Sequence, residues 1–190
     1  GEGELGLAVV FIPEVKRADT KNKIRKLDIG RALQIAVDYG EIDLVKEAVA
    51  RATKKDLNEN AMTLLENAAL DGKVEIFNYL FDQTDKDARN LTKLLPFAIT
   101  GANVSIVKRV LKEGPRLNEP DSRGATCIHK AGAAFFSSPD LVRVLLQAGC
   151  KVNAIDDNGS SALHAAATAN NYQIFQVLKD SGVNPDLVDK

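Results

Sequence analysis

Apolar pairs recur along the chain at Leu44-Val45, Ile76-Phe77, Ile106-Val107, Leu141-Val142 and Ile174-Phe175. A short stretch of small and apolar positions precedes each pair, at residues 32–37, 64–69, 94–99, 127–132 and 162–167. Leucine-rich turns follow at Val110-Leu111, Leu145-Leu146 and Val177-Leu178, and Gly114, Gly149 and Gly182 punctuate the ends of the last three units. With Gln34, Glu66, Pro96, His129 and His164 taken as equivalent, the steps are 32, 30, 33 and 35 residues. Such a period is the signature of a stacked array rather than a single closed core. Local signals predict where helices begin. Thr63 with Glu66 three residues later has the spacing of a capping box, in which each side chain satisfies a backbone donor near the other. Thr126 with His129 and Ser161 with His164 share that spacing. Pro96 is placed in the first turn of its helix, where a missing amide hydrogen costs little. Ser138-Pro139-Asp140 reads as N-cap, first helical residue and an acid that suits the helix dipole.

The fourth unit carries Asp121, Gly124, Thr126, Ile128, His129, Ala131 and Gly149, and the fifth carries Asp156, Gly159, Leu163, His164, Ala165, Ala166, Leu178 and Gly182. Over about residues 28–190 this pattern resembles the ankyrin repeat. The resemblance implies an all-α solenoid of stacked helix–turn–helix units joined by β-hairpin-like fingers. Five repeats are expected at approximately 28–57, 58–87, 88–117, 118–152 and 153–185, followed by the start of a sixth finger that ends at Lys190. Each helix is too short to persist alone in water. Stacking buries every unit's apolar face against its neighbours, with alanines such as Ala68, Ala69, Ala165 and Ala166 allowing close approach. The connection between the second and third units lacks a turn glycine, so the finger around Thr84 to Lys93 is expected to be abbreviated. The two extra residues of the fourth unit fall within Phe135 to Asp140, opposite the fingers. Residues 1–27 do not fit the repeat. They hold an apolar stretch, Leu5 to Ile12, and a basic one from Lys16 to Lys26, and read as a cap on the first repeat, a linker or a partner-binding peptide.

Composition narrows the functional classes. The formal net charge is −1, with 45% hydrophobic and 27% charged residues. That balance supplies no global field to draw the chain onto nucleic acid or an anionic membrane. The basic run at 16–26 is interrupted by Asp19 and has no interleaved aromatics, so it reads as a solvated flank. No apolar stretch approaches the roughly 18 residues of a membrane span, and Leu7 to Ile12 ends at Pro13 without a basic lead, unlike a signal peptide. Cys127 and Cys150 are the two cysteines. In a chain able to bury a core they read as two reduced, packed thiols, which favours the cytosol or nucleus. The opening Gly-Glu-Gly-Glu is read as a cut from a larger protein.

Candidate chemistry is sparse. His129 and His164 are the two histidines, but one repeat apart their backbones stand roughly one layer, about 10 Å, from each other, and a metal needs three or four converging ligands. In the family resembled, this histidine is a structural clamp that bonds its own cap and a neighbouring finger. Cys127 and His129 lie two residues apart on one helix, hence on different faces, and do not form a nucleophile–base pair. No phosphate-binding loop is present, and Asp156-Asp157 begins no calcium loop with alternating oxygen ligands. Neither a cofactor nor a metal is expected, and no enzyme active site. Ser138 before Pro139 could accept a phosphate from a proline-directed kinase, although a helix cap explains it more economically.

The resemblance also implies where a partner would bind. Exposed inner-helix residues and finger tips line a concave groove in this family, and by position these are Ile35, Asp38, Tyr39, Asn67, Leu70, Asp71, Phe97, Thr100, Lys130, Ala133, Ala134, Ala165, Thr168 and Ala169. The finger tips add Arg123, Asp157 and Asn158. Tyr39, Leu70 and Phe97 make this face more apolar than a solvated one needs to be; alternatively Phe97 packs under a finger. Phe135 and Phe136 form a second candidate outside the groove, unless both fold under Ser137-Ser138. The expected function is protein–protein interaction, as adaptor or scaffold, by a monomeric module of a larger chain. A regulatory domain of a larger enzyme, ubiquitin ligase or channel is the alternative.

Overall fold

The computed structural model describes residues 28–184. The proposed N-terminal cap, the basic run and the sixth finger lie outside the described residues. Among the described residues ten α-helices follow one another in five antiparallel pairs: α1 (Ile29–Tyr39) with α2 (Ile42–Arg51), α3 (Lys54–Leu70) with α4 (Val74–Gln83), α5 (Leu91–Thr100) with α6 (Val104–Leu111), α7 (Cys127–Ala133) with α8 (Pro139–Gln147), and α9 (Ala162–Thr168) with α10 (Tyr172–Asp180). The odd-numbered helices pack in series as an inner row and the even-numbered ones as an outer row. The fold is therefore the expected all-α solenoid. Among the described residues there is no β-strand, and the fingers reduce to turns with one isolated bridge, Ile155 to Ser161.

The row exists because the inner helices present small side chains where they meet. Ala32, Ala36, Ala68, Ala69, Ala98, Ala131, Ala162 and Ala166 are all buried, while Leu33, Leu65, Phe77, Leu80, Ile106 and Leu145 fill the space between rows. The recurring apolar pairs are the inward faces of the outer helices, with Leu44, Val45, Ile76, Phe77, Ile106, Val107, Leu141 and Val142 buried. Three outer helices, α6, α8 and α10, begin at side-chain caps: Asn103 accepts from Ile106, Ser138 from Leu141 and Asn171 from Ile174. Ser138, Pro139 and Asp140 take their expected positions.

Two predicted helix starts are displaced. Thr63 does not open a helix: α3 begins ten residues earlier, at Thr53, whose hydroxyl accepts from the Asp56 amide while Asp56 accepts from the Thr53 amide at 2.8 Å. The expected repeat limit at 57/58 thus falls inside α3, and no finger separates the first two layers. Pro96 is not in a first turn either. α5 starts after an Asn90 cap, so Pro96 sits in the helix interior, on the half-exposed side that it shares with Phe97. Between α4 and α5 a short 3₁₀ turn, Lys86–Ala88, replaces the finger. Asn58 holds it from two sides, receiving the Asp85 amide at 3.0 Å and donating to the Asp85 carboxylate at 2.7 Å. That bond, with the ammonium of Lys54, keeps the Asp85 carboxyl below its ordinary range.

Asparagines tie the later layers together in the same way. Asn118 donates to Gly149 O at 3.1 Å and accepts from the Lys151 amide at 2.8 Å. Asn153 repeats this one layer on, donating to Gly182 O at 3.3 Å and accepting from Asn184 N at 2.8 Å. Each pair of bonds fixes the base of one finger to the helix end of the next layer, which holds the fingers at a set height beside the inner row.

The two cysteines are not free thiols. Cys127, the first residue of α7, and Cys150, just after the turn that ends α8, are joined as a disulfide, with Cα atoms 7.0 Å apart. Both are buried, as expected, but the layer closes so that the start of its first helix meets the end of its second.

Candidate functional site

The inner row and the fingers enclose a shallow concave face. Its fingers are rigid for local reasons. Asp121 receives the amides of Arg123 at 2.9 Å and Ala125 at 3.1 Å, and Asp156 receives those of Asn158 and Ser160, both at 2.9 Å. Gly124 (φ 77°) sits in the left-handed region and packs against the Asp157 backbone of the next finger, so a side chain there would be both strained and blocked. The Asp157 amide donates to Arg123 O at 3.1 Å, which docks one finger on the next.

His129 closes the same joint from below. Its Nδ1 accepts from the Thr126 amide at 3.1 Å, so the other ring nitrogen carries the proton and donates to Ser160 O at 3.0 Å. Both ring nitrogens are thus occupied within the protein, as expected for a clamp. His164 accepts from the Ser161 amide in the same way, at 3.0 Å. Among the described residues no three His, Cys, Asp or Glu side chains stand close enough to hold a metal ion.

Two cavities lie along the face. The first, between the third and fourth layers and reaching Glu66 of the second, is bounded by Glu66, Lys93, Pro96, Phe97, Pro120 and Lys130. The second, between the fourth and fifth, has a floor of Ala133, Ala165, Thr168 and Ala169 under a rim of Arg123, Lys130 and Asn158. Of the expected partner-binding residues, the structure brings Phe97 and Lys130 to the first cavity and Arg123, Lys130, Ala133, Asn158, Ala165, Thr168 and Ala169 to the second, whereas Ala134 is buried against its layer. Phe97 is half-buried. Asp157 stays at the exposed finger tip. Ile35, Asp38, Tyr39, Asn67, Leu70, Asp71 and Thr100 line neither cavity. Tyr39 (46% exposed) and Leu70 (39%) are open at the C-terminal ends of α1 and α3, whereas Ile35 packs against the core. Asp38 accepts from Gln34, Asp71 pairs with Lys73 at 2.6 Å, and Thr100 bonds back to Pro96 O.

Glu66 and Lys93 were not among the expected site residues. Glu66 occupies the histidine-equivalent position, a signal that could have marked it as groove-facing. Partial burial there pushes the Glu66 carboxyl up, against the opposing pull of Lys93. Phe135 and Phe136 lie away from the groove, in the loop between α7 and α8. Both are exposed, at 76% and 79%, with edge-to-face rings 5.1 Å apart, so they do not fold under Ser137-Ser138. Tyr172, at the corresponding junction of the next layer, is exposed to 76% and was also missed.

A family model described as ankyrin repeats (3 copies) matches residues 94–189. The chain belongs to the ankyrin-repeat family. The match covers the third to fifth layers, of which the fourth and fifth carry the capping box and the finger turn. The two earlier layers continue the same stack with shortened connections. Comparison with curated proteins gives no match. Ankyrin repeats are generally protein-interaction modules, and among the described residues no helix is long and apolar enough to cross a membrane.

One ionic pair of this ankyrin face has a pH signature. Lys130 hydrogen-bonds the Asp121 carboxylate and, with the Arg123 and Ala125 amides, lowers its pKa to about 2. An unfolded Asp titrates near 3.9, so the stabilising contribution is complete above about pH 5 and is lost as pH falls from there towards 2. Urea unfolding at pH 6 and pH 3 should therefore show a smaller acid loss in Asp121→Asn than in the parent chain. Equal acid losses would remove Asp121 from the account of finger stability.

Proposed function

We propose that the chain is a protein-binding module, acting as adaptor or scaffold, that receives its partner along the concave face of the ankyrin stack. The observation that carries this is the pair of adjoining cavities, one walled by the half-exposed Phe97 and the other floored by small side chains. Flanking them are fingers already fixed by the Asp121 and Asp156 turns and the His129 clamp. A surface held in place before binding loses little conformational entropy on contact. Open aromatic and leucine side chains are suited to be the energetic anchors of such a contact.

Residues 28–184 are read as one module, in which Tyr39 and Leu70 extend the contact beyond the cavities and Lys130, Arg123 and Asn158 give it polar register. We read the chain as monomeric and without a cofactor, and its near-neutral charge favours a protein partner over nucleic acid. The expectation of a cytosolic or nuclear location rests partly on two free thiols, and their pairing removes that support. Affinity capture followed by mass spectrometry should recover a partner that the Tyr39→Ala/Leu70→Ala/Phe97→Ala variant, with helicity retained, binds at least tenfold more weakly. That factor corresponds to about 1.4 kcal/mol, less than a single hot spot of about 2 kcal/mol would lose. Undiminished capture by this variant, with loss in Phe135→Ser/Phe136→Ser, would move the interface to the opposite end of the layers.

A further inference from the structure

We infer that Cys127 and Cys150 form a reversible redox staple, a disulfide that a small-molecule thiol–disulfide couple makes and breaks to stiffen or loosen the fourth ankyrin layer and its groove wall. The neighbouring layers supply the internal comparison. In the fifth layer the equivalent positions are Ala162 and Val183, and both are buried without a crosslink. In the third they are Leu94, also buried, and Pro115. Layers of this stack therefore close by apolar packing alone, and the sulfurs of the fourth add a bond that the architecture does not require. The bond spans one whole helix pair, 23 residues in sequence.

The place of the bond gives it a consequence. Cys127 follows Thr126, whose side chain and amide bind His129, and it lines the cavity that contains Phe97 and Lys130. Cys150 lies under the exposed turn at Gly149 and Lys151 that Asn118 secures. The crosslink thus ties one wall of the groove to the base of the next finger. Opening leaves the capping box and the Asn118 bonds to hold both ends in place, so the layer stays folded but is less constrained. The Gly149 turn is the route by which a reagent reaches the sulfurs.

Closure balances with glutathione disulfide as oxidant. The Cys150 thiolate attacks one sulfur of the oxidant, forming a mixed disulfide and releasing one glutathione thiolate. The Cys127 thiolate then attacks the protein sulfur of that mixed disulfide, forming the Sγ–Sγ bond and releasing the second glutathione. The two protein thiols lose two protons and two electrons, and the oxidant becomes two glutathione molecules. Reduced glutathione or dithiothreitol runs the sequence backwards.

The test equilibrates the purified chain in glutathione buffers of graded ratio and reads free thiols by alkylation and intact mass. The two thiols should disappear together, leaving a monomer lighter by two hydrogens without a stable glutathione adduct, and should return with dithiothreitol while helicity is unchanged. Hydrogen exchange should quicken on reduction in residues 126–130 and 149–152, and the melting temperature should fall by roughly 5 °C or more. Cys127→Ala/Cys150→Val, which copies the fifth layer, should fold, behave like the reduced chain and ignore the buffer. Thiols that stay free across all ratios, an accumulating glutathione adduct, crosslinked dimers, or a bond that dithiothreitol cannot open in the folded chain would each overturn the proposal. Failure of the double variant to fold would do so too, because it would make the sulfurs a requirement of the architecture.

Discussion

Replacing Gly101 by alanine is expected to lower the unfolding free energy by about 3 kcal/mol, the upper end of the range for overpacking a close contact. Gly101 ends α5 with φ −68°, a conformation open to any residue, so its backbone angles do not demand glycine. What demands it is the neighbour. A Cβ at this position would stand 2.0 Å from the Ala69 carbonyl oxygen and 2.8 Å from that of Leu70. Those are backbone atoms at the end of α3, and Ala69 O already accepts the Gly72 amide at 3.2 Å. Neither can move aside as a flexible side chain would. Relief would require parting α3 from α5, which opens the buried contact among Ala68, Ala69 and Ala98. Gly114→Ala is the control. Nothing lies within 4 Å of its Cβ, and only the left-handed backbone (φ 79°) is penalised, at about 1–2 kcal/mol. Urea midpoints followed by circular dichroism separate the two. If Gly101→Ala unfolds at the parent's midpoint, the inner row is not held as closely as described.

The same contact shows what could and could not be read from the chain. The stack was legible because each layer repeats an apolar pair and a small-residue stretch whose spacing survives divergence; Leu44-Val45 and Leu141-Val142 are buried alike. The later layers were legible in detail because the finger turn and the cap bond within four residues, at Asp121 with Arg123 and Ala125 and at Thr126 with His129, while the long reach of His129 to Ser160 O followed only from the family pattern. Boundaries failed where a local rule had two solutions. Thr53 with Asp56 and Thr63 with Glu66 have the same spacing. The choice between them falls to Leu57, Ala61 and Leu64, which extend the buried stripe and carry the helix back to Thr53. Pro96 was misplaced because the short connection let α5 begin earlier, at Asn90. The disulfide was invisible, since residues 23 apart meet only when α7 and α8 close on each other. Of the groove, the finger residues and Phe97 were legible by position. Glu66 was not, because its cap spacing supplied a sufficient local role.

The shortened joint between the second and third layers leads to the other large effect. Phe81→Ala should cost about 3–5 kcal/mol, the usual range for emptying a fully buried phenylalanine site. Phe81 is wholly buried and stacks on Phe77 with centroids 5.5 Å apart. It also carries two guanidinium groups, Arg89 at 4.1 Å and Arg109 at 4.9 Å from the ring centre. Arg89 is the latch: it donates to Asp85 O and Thr84 O, both at 3.1 Å, and so wraps the turn that stands where a finger would be. Arg109 reaches Asp82 at 2.6 Å from the next layer, while its buried Nε has no partner. The ring face therefore backs a guanidinium whose charge Asp82 already pairs and whose Nε has no hydrogen-bond partner. Phe81→Leu tests this reading. It keeps most of the volume but removes the π face, and should cost about 1–2 kcal/mol. Combined with Arg89→Ala it should cost less than the sum of the two single changes by about 0.5–1 kcal/mol, because either change alone already breaks the contact. Hydrogen exchange in residues 84–90 should rise in all three variants. Strict additivity in the urea midpoints would reduce Phe81 to an apolar plug and leave the Asn58 and Lys54 bonds to Asp85 as the structure that substitutes for the finger.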